Sequence, residues 1–165
     1  MLDDAQGRYS LPLSWTIESR VRMLKLSTKG RYGVRAMIEL ASAGGDVPVM
    51  MSEISMSQDL SRKYLHALLT DLKKAGLVLS RRGARGGYLL ARPAEKIRVS
   101  EIVVALEGDL RLVDCVDDEG LCKRSQHCAA RGLWVRLSEA IDGVLGDITL
   151  AGLAASKNCS LEEGA

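Results

Sequence analysis

A mainly helical chain with one small β-hairpin is what the sequence predicts, and three observations lead there. Phe is absent and aromatics make up 4% of the 165 residues, so the core has to be built from Leu, Val, Ile, Ala and Met, which favours packed helices over an aromatic-rich sandwich. Apolar residues return every three or four positions in several separate stretches, the period of a half-buried helix. A single pair of short strand-like runs flanks a tip rich in Gly and Arg, the pattern of one hairpin. The length suits one soluble domain or two small modules sharing a core.

Residues 1–22 carry mixed charges and no sustained periodicity. They read as a poorly ordered appendage, either a leader or the product of an upstream start codon, with Met23 opening the patterned chain. Thr28 is a plausible N-cap for a helix to about Ser42, because Val34, Met37, Ile38 and Ala41 fall on one stripe; Gly44 and Gly45 stop it. After Pro48 comes a short segment, Met51 to Gln58, then a tight connection at Asp59-Leu60. Ser61 caps the next helix, about Arg62 to Ala75, with Leu65, Leu68, Leu69 and Leu72 on one stripe and Gly76 at its end. Two helices joined so closely read as a helix-turn-helix.

Strand-like runs at 77–80 and 88–91 enclose Arg81, Arg82, Gly83, Arg85 and Gly86, a cationic hairpin tip, and Pro93 closes the unit. Ser100 is the expected cap of a helix ending at Gly108. A long helix to about Asp147 follows an irregular acidic stretch, and from Trp134 its apolar positions Leu137, Ile141, Val144, Leu145 and Ile148 form a narrow seam of the kind that packs on another helix. Thr149 is placed to cap a short last helix, and the tail from 156 is polar.

The net charge of +2 conceals an asymmetry. Residues 20–98 hold 16 basic and 6 acidic side chains, whereas residues 99–165 hold 6 and 12. A basic half of this size points to a polyanion. Helix-turn-helix followed at once by a hairpin is a winged helix, which lays its second helix in the major groove and its wing along the backbone or minor groove. Ser61, Arg62, Lys63, Tyr64 and His66 stand in the first turns of that second helix, where side chains reach base edges and phosphates. Arg81, Arg82 and Arg85 sit among glycines that let the wing backbone come close, and arginine suits phosphate forks and narrow minor grooves. The tip lacks the spacing of a dinucleotide or P-loop motif and precedes a strand, so those ligands are excluded. Two histidines form no triad or acid–base pair, and no flavin motif is present, so nothing points to an enzyme.

No apolar run approaches the length of a membrane span, and the acidic N-terminus lacks a signal-peptide core; the expected compartment is the cytoplasm. There, cysteines are thiols, metal ligands or redox centres rather than disulfides. Cys115, Cys122 and Cys128 lie within 14 residues. Their gaps are wider than the CxxC pairs of zinc ribbons, which leans towards a larger thiolate-bound object such as an iron–sulfur cluster. A zinc site and free structural cysteines stay open on spacing alone. Cys159, in the polar tail, reads as incidental.

The run 26–41 (LSTKGRYGVRAMIELA), 60–65 (LSRKYL), 72–78 (LKKAGLV), 82–90 (RGARGGYLL), the three cysteines and 148–150 (ITL) together resemble the Rrf-type family of bacterial winged-helix regulators, nearest to its iron–sulfur branch typified by IscR. The resemblance covers residues 24–155. It implies a homodimeric transcription factor whose long C-terminal helix crosses its partner, with an iron–sulfur cluster, 2Fe–2S rather than 4Fe–4S, on Cys115, Cys122 and Cys128. It also implies that Ser61, Lys63, Tyr64, His66, Arg82 and the 83–87 wing touch promoter DNA.

The sequence departs from the family pattern at four points. His66 replaces an acidic residue, Arg131 stands where the IscR branch has a histidine, Arg31 stands where the nitric-oxide-sensing branch has a carboxylate, and the first cysteine gap is one residue longer. Cysteine-free relatives of the CymR type act in sulfur metabolism through a protein partner. The expectation is therefore a winged helix-turn-helix domain over 23–98, a cluster loop and dimerisation helix over 99–155 and a tail over 156–165. Its expected partners are double-stranded promoter DNA, a second copy, and a cysteine desulfurase or scaffold protein, with no membrane. The expected task is repression of iron–sulfur assembly or cysteine desulfurase genes, and a redox protein using the cluster is the rival from another class.

Overall fold

The computed structural model describes residues 26–162 apart from Ala84, Asp109, Arg111 and Asp117. The 1–22 extension and Met23 lie outside the described residues, as does the side chain of Cys159. In order come α1 Thr28–Ser42, α2 Met51–Gln58, α3 Arg62–Lys74, β1 Val78–Arg81, β2 Gly87–Leu90, α4 Val99–Glu107, α5 Arg131–Asp147 and α6 Leu150–Glu162, with short 3₁₀ turns between α4 and α5. The mainly helical class and the single antiparallel hairpin agree with the sequence reading.

Four local expectations are corrected. Ser27, not Thr28, caps α1, its hydroxyl accepting the Lys29 N–H at 3.0 Å. Helix α4 begins at Val99, because the Glu101 carboxylate accepts the Arg98 N–H at 2.8 Å and draws Ser100 into the first turn. The strands sit one residue nearer the tip, since pairing runs from Val78↔Leu90 up to Arg81↔Gly87. The last helix is 13 residues long, and Thr149 caps it by accepting the Gly152 N–H at 3.1 Å.

One core joins the elements. Met37 and Leu40 of α1, Ile54 of α2, Leu65, Leu68, Leu69 and Leu72 of α3, Ile102 and Leu106 of α4 and Leu150 of α6 are all buried in it. On α1 the innermost positions are Gly30, Gly33, Ala36, Met37 and Leu40, whereas Val34, Ile38 and Ala41 are only half-buried flanks. The glycines mark where α4 comes closest. A Cβ on Gly33 would lie 1.9 Å from Leu106 Cδ1, and one on Gly30 would lie 2.5 Å from Glu107 Oε1. That carboxylate oxygen accepts the N–H of Ser27 at 3.1 Å, the Ser27 hydroxyl at 2.7 Å and the N–H of Gly30 at 2.8 Å. The Gly30 donor of α1 and the donors of its cap Ser27 are thus satisfied by a side chain from the end of α4, whose charge also opposes the positive dipole end of α1.

The chain closes on itself through α6. Val99 donates to Ile148 O at 3.0 Å and Leu150 donates to Ile97 O at 2.8 Å, so the α5–α6 junction is bound to the start of α4. Helix α5 packs on α4 yet buries only Ser138 among its own residues. Val144 stays 61% exposed and Leu133 59%, while Trp134, Leu137, Ile141, Leu145 and Ile148 are half-buried. No helix among the described residues is long and apolar enough to cross a membrane.

Gly33→Val forces two methyl groups into the Leu106 contact. The expected cost is about 1–3 kcal/mol, read as a lower urea midpoint at an unchanged denaturant slope; an unmoved midpoint would mean that Leu106 yields freely and the seam is not tight.

Candidate nucleic-acid interface and cysteine loop

The turn between α2 and α3 is made by Asp59, in the left-handed region at φ 51°, a conformation that a short acidic side chain tolerates. Leu60 N–H then returns to Ser55 O at 3.0 Å, and the Ser61 hydroxyl caps α3 by accepting the Tyr64 N–H at 3.3 Å. Ser61, Arg62, Lys63 and His66 are exposed on the first turns of α3. Tyr64 is different. It is half-buried, edge-on to Tyr32 of α1 with ring centroids 6.2 Å apart, and its hydroxyl is 3.3 Å from Thr28 Oγ1.

A second tie fixes α2 to α1. Gln58 is buried; its Oε1 accepts from Arg35 Nε at 2.6 Å while its amide nitrogen donates to Glu39. Lys29 of α1 pairs with Asp71 of α3 at 2.9 Å, and this ammonium, hydrogen-bonded to the carboxylate, holds the Asp71 pKa below its ordinary value. The helix-turn-helix is thereby held to α1 at both of its helices.

The wing is anchored at its base. Val49 and Tyr88 exchange two backbone hydrogen bonds, at 2.8 and 2.9 Å, and Leu90 N–H donates to Gly45 O at 2.8 Å. Lys73 Nζ donates to Ser80 Oγ at 2.7 Å, joining α3 to β1. At the tip Gly83 takes φ +115° and accepts the Gly86 N–H at 2.9 Å; a Cβ on Gly86 would sit 2.4 Å from Arg81 O. Arg81, Arg82 and Arg85 are exposed around that turn. A groove lined by Met50, Ser52, Arg62, Arg81 and Gly87 separates α3 from the wing. Of the cations picked out in the sequence, Arg62 of α3 and Arg81 of the wing border this groove, and Lys63, His66, Arg82 and Arg85 are exposed on the same two elements.

The cysteines lie elsewhere. Cys115 is in the first 3₁₀ turn after α4, and Cys122 and Cys128 end the next two; all three are half-buried and free. Among the described residues no three His, Cys, Asp or Glu side chains come together where a metal ion could sit. Arg131, in the first turn of α5, donates Nε to Cys115 O at 3.3 Å and Nη2 to Val116 O at 3.2 Å, pinning the start of the loop to α5. Ser125, inside the loop, has a buried hydroxyl with no hydrogen-bond partner among the described residues.

Sequence reasoning missed Glu107 and Gln58. Glu107 was only the last residue of a helix, and its acceptor role depends on two glycines 77 and 74 positions earlier; the signal was there in Gly30 and Gly33, which interrupt a helix without an obvious turn.

A helix-turn-helix braced from behind, with a cationic wing beside its second helix, is the architecture of a winged-helix DNA-binding regulator. Residues 26–156 match the family model Rrf2, described as iron-dependent transcriptional regulator, and the chain belongs to that family. It is 41% identical over 131 residues to the HTH-type transcriptional regulator CymR of Bacillus subtilis, covering 79% of this chain and 90% of that one. The solved structure of CymR, the global cysteine regulator of B. subtilis, superposes with a TM-score of 0.68 at 42% identity, covering 81% of this chain and 98% of that one. It is likewise 41% identical over 130 residues to IscR of Serratia proteamaculans, covering 79% of each chain. The structure of T. potens IscR superposes with a TM-score of 0.66 at 40% identity, covering 81% of this chain and 88% of that one. These relatives carry the names of transcriptional regulators, and DNA binding follows for the family.

Lys63→Ala and Arg82→Ala each weaken binding to a palindromic promoter duplex. Each also flattens the plot of log K against log salt by about 0.9 for every phosphate no longer neutralised, measured by fluorescence anisotropy at several salt concentrations. Unchanged affinity and slope in both would remove α3 and the wing from the interface.

Proposed function

We propose that the chain is a cytoplasmic, homodimeric repressor that binds a promoter through Ser61, Arg62, Lys63, Tyr64 and His66 of α3 and through Arg81, Arg82, Gly83, Arg85 and Gly86 of the wing. Two copies pair through the α5 seam of Trp134, Leu137, Ile141, Val144, Leu145 and Ile148, and the loop carrying Cys115, Cys122 and Cys128 is the sensing element. The observation that carries this reading is the position of that loop. It leaves α4 directly after Glu107, the residue that holds the N-terminus of α1, and α1 in turn holds Tyr64 on α3. A change in the loop has a short covalent and hydrogen-bonded route to the DNA-reading helix.

The donor chemistry of the loop suits a soft, thiolate-bound centre. Its present arrangement does not: no three ligand-type side chains come together among the described residues, and the residue at 131 is an arginine engaged with the loop backbone. An iron–sulfur cluster on Cys115, Cys122 and Cys128, of the 2Fe–2S kind, requires the 115–128 segment to close and a fourth donor from elsewhere, so no step here runs through it. With the cluster reading go iron–sulfur assembly and cysteine desulfurase genes as the regulon, and a desulfurase or scaffold protein as a further partner. Arg131, standing where the IscR branch has a histidine, and the 41% identity to CymR support a second reading, a cluster-free regulator of cysteine or sulfur metabolism like the CymR relatives. Both readings keep the DNA face and the dimer.

Anaerobic purification with iron, sulfide and zinc analysis and a visible spectrum separates them. The cluster reading expects a coloured protein with iron and acid-labile sulfide in equal amounts, lost on replacing Cys122 by Ser. A colourless, metal-free or zinc-loaded protein that still binds DNA would overturn the cluster and leave the regulator.

A further inference from the structure

The first turn of α1 carries a cation outside the face assembled above. Arg31 is exposed and forms no ion pair among the described residues. Its guanidinium carbon lies 5.9 Å from the centroid of the Tyr32 ring, while Arg35, held by Gln58, lies 5.4 Å from the same centroid. Tyr32 is in turn edge-on to Tyr64, the third residue of α3. Arg31 therefore stands on an aromatic pair whose other half belongs to the recognition helix.

Its position relative to the wing follows from helix geometry. Arg62 borders the groove shared with Arg81 of the wing. Tyr64 is two residues on, about 200° round the helix, and it faces α1. The first turn of α3 is thus flanked by cations on both sides: the wing arginines on one, Arg31 on the other. The backbone donors of α1 do not supply this charge, because Ser27 N–H and Gly30 N–H are bound by Glu107. Lys29 does not supply it either, since it is paired with Asp71. An arginine held against a ring face is pre-ordered and sheds less freedom when it meets a phosphate.

We infer that Arg31 is a phosphate-binding residue of the DNA complex, extending the interface from α3 on to α1 so that the recognition helix is bracketed by backbone contacts from α1 and from the wing. This rests on the reading that the first turns of α3 face DNA. Phosphate contacts fix register without reading sequence, so the signature is electrostatic and sequence-blind.

The test uses the full chain, a duplex selected from a random pool by that chain, and a scrambled duplex of the same length, in anisotropy titrations across a salt series. Arg31→Ala is expected to weaken both duplexes by the same factor, about 3- to 10-fold. It should also lower the salt slope by about 0.9 per protomer, with the helical circular dichroism unchanged. Arg31→Lys, which keeps the charge, should keep the slope. Arg31→Ala with wild-type slope overturns the assignment, as does a loss confined to the selected duplex, which would make Arg31 a base reader. Should Arg31→Ala unfold, Arg31→Lys and Arg31→Gln decide instead, and their slopes must differ by the same amount for the inference to stand. If the wild-type chain retains no duplex from the pool, the DNA-facing reading of α3 falls first and this inference with it; wild-type binding with an Arg31→Ala slope unchanged sinks Arg31 alone.

Discussion

The close approach of α1 to α4, sealed by the Glu107 carboxylate, is the contact on which the rest of the structure depends. Gly30 and Gly33 remove the side chains that would hold the two helices apart, and Leu106 and Glu107 occupy the space so made. A single carboxylate oxygen then accepts three donors at the start of α1. A charge-assisted acceptor at a helix N-terminus is among the stronger local interactions available to a folded chain. It is also economical, since α1 needs no acidic residue of its own in its first turn and has none.

From α1 the order passes outward. Gln58, bridging Arg35 and Glu39, places α2; Tyr32 and Thr28, against Tyr64, place the first turn of α3; Lys29, paired with Asp71, steadies the middle of α3. The wing is fixed separately, to residues 45 and 49 ahead of α2. Both parts of the proposed DNA face hence rest on α1 and the segment that follows it, and Lys73, bonded to Ser80, joins α3 to β1 directly. The cysteine loop starts directly after Glu107, where α4 holds the N-terminus of α1, and ends where α5 begins.

Much of this was legible in the residues. Helix stripes rich in Leu, the Ser61 cap, the glycine stops and the cationic hairpin tip are local signals, and each stands where the periodicity puts it. What escaped were features whose cause is distant in sequence. Of the α1 stripe Val34, Met37, Ile38 and Ala41, only Met37 is fully buried, because apolar periodicity cannot register glycine and the inner face also runs through Gly30 and Gly33. The caps at 27 and 98 were displaced by one or two residues because carboxylates from Glu107 and Glu101 compete for the same donors. The segmental charge pointed to the basic half, yet it could not tell Lys29, spent on Asp71, from Arg31, left facing outward. For the cysteines, composition and resemblance name a ligand set, whereas among the described residues no three ligand-type side chains come together.

The measurement that reaches furthest into this account is duplex affinity and unfolding free energy compared across Glu107→Gln and Glu107→Ala. Glutamine keeps an acceptor oxygen for the Ser27 and Gly30 donors, whereas alanine leaves them without one. Glu107→Ala should lose stability by about 1–3 kcal/mol and bind the duplex more weakly, with Glu107→Gln falling between it and wild type in both, because glutamine keeps the acceptor and loses the charge. Wild-type affinity and stability in Glu107→Ala would contradict the claim that this carboxylate holds the DNA-reading face together.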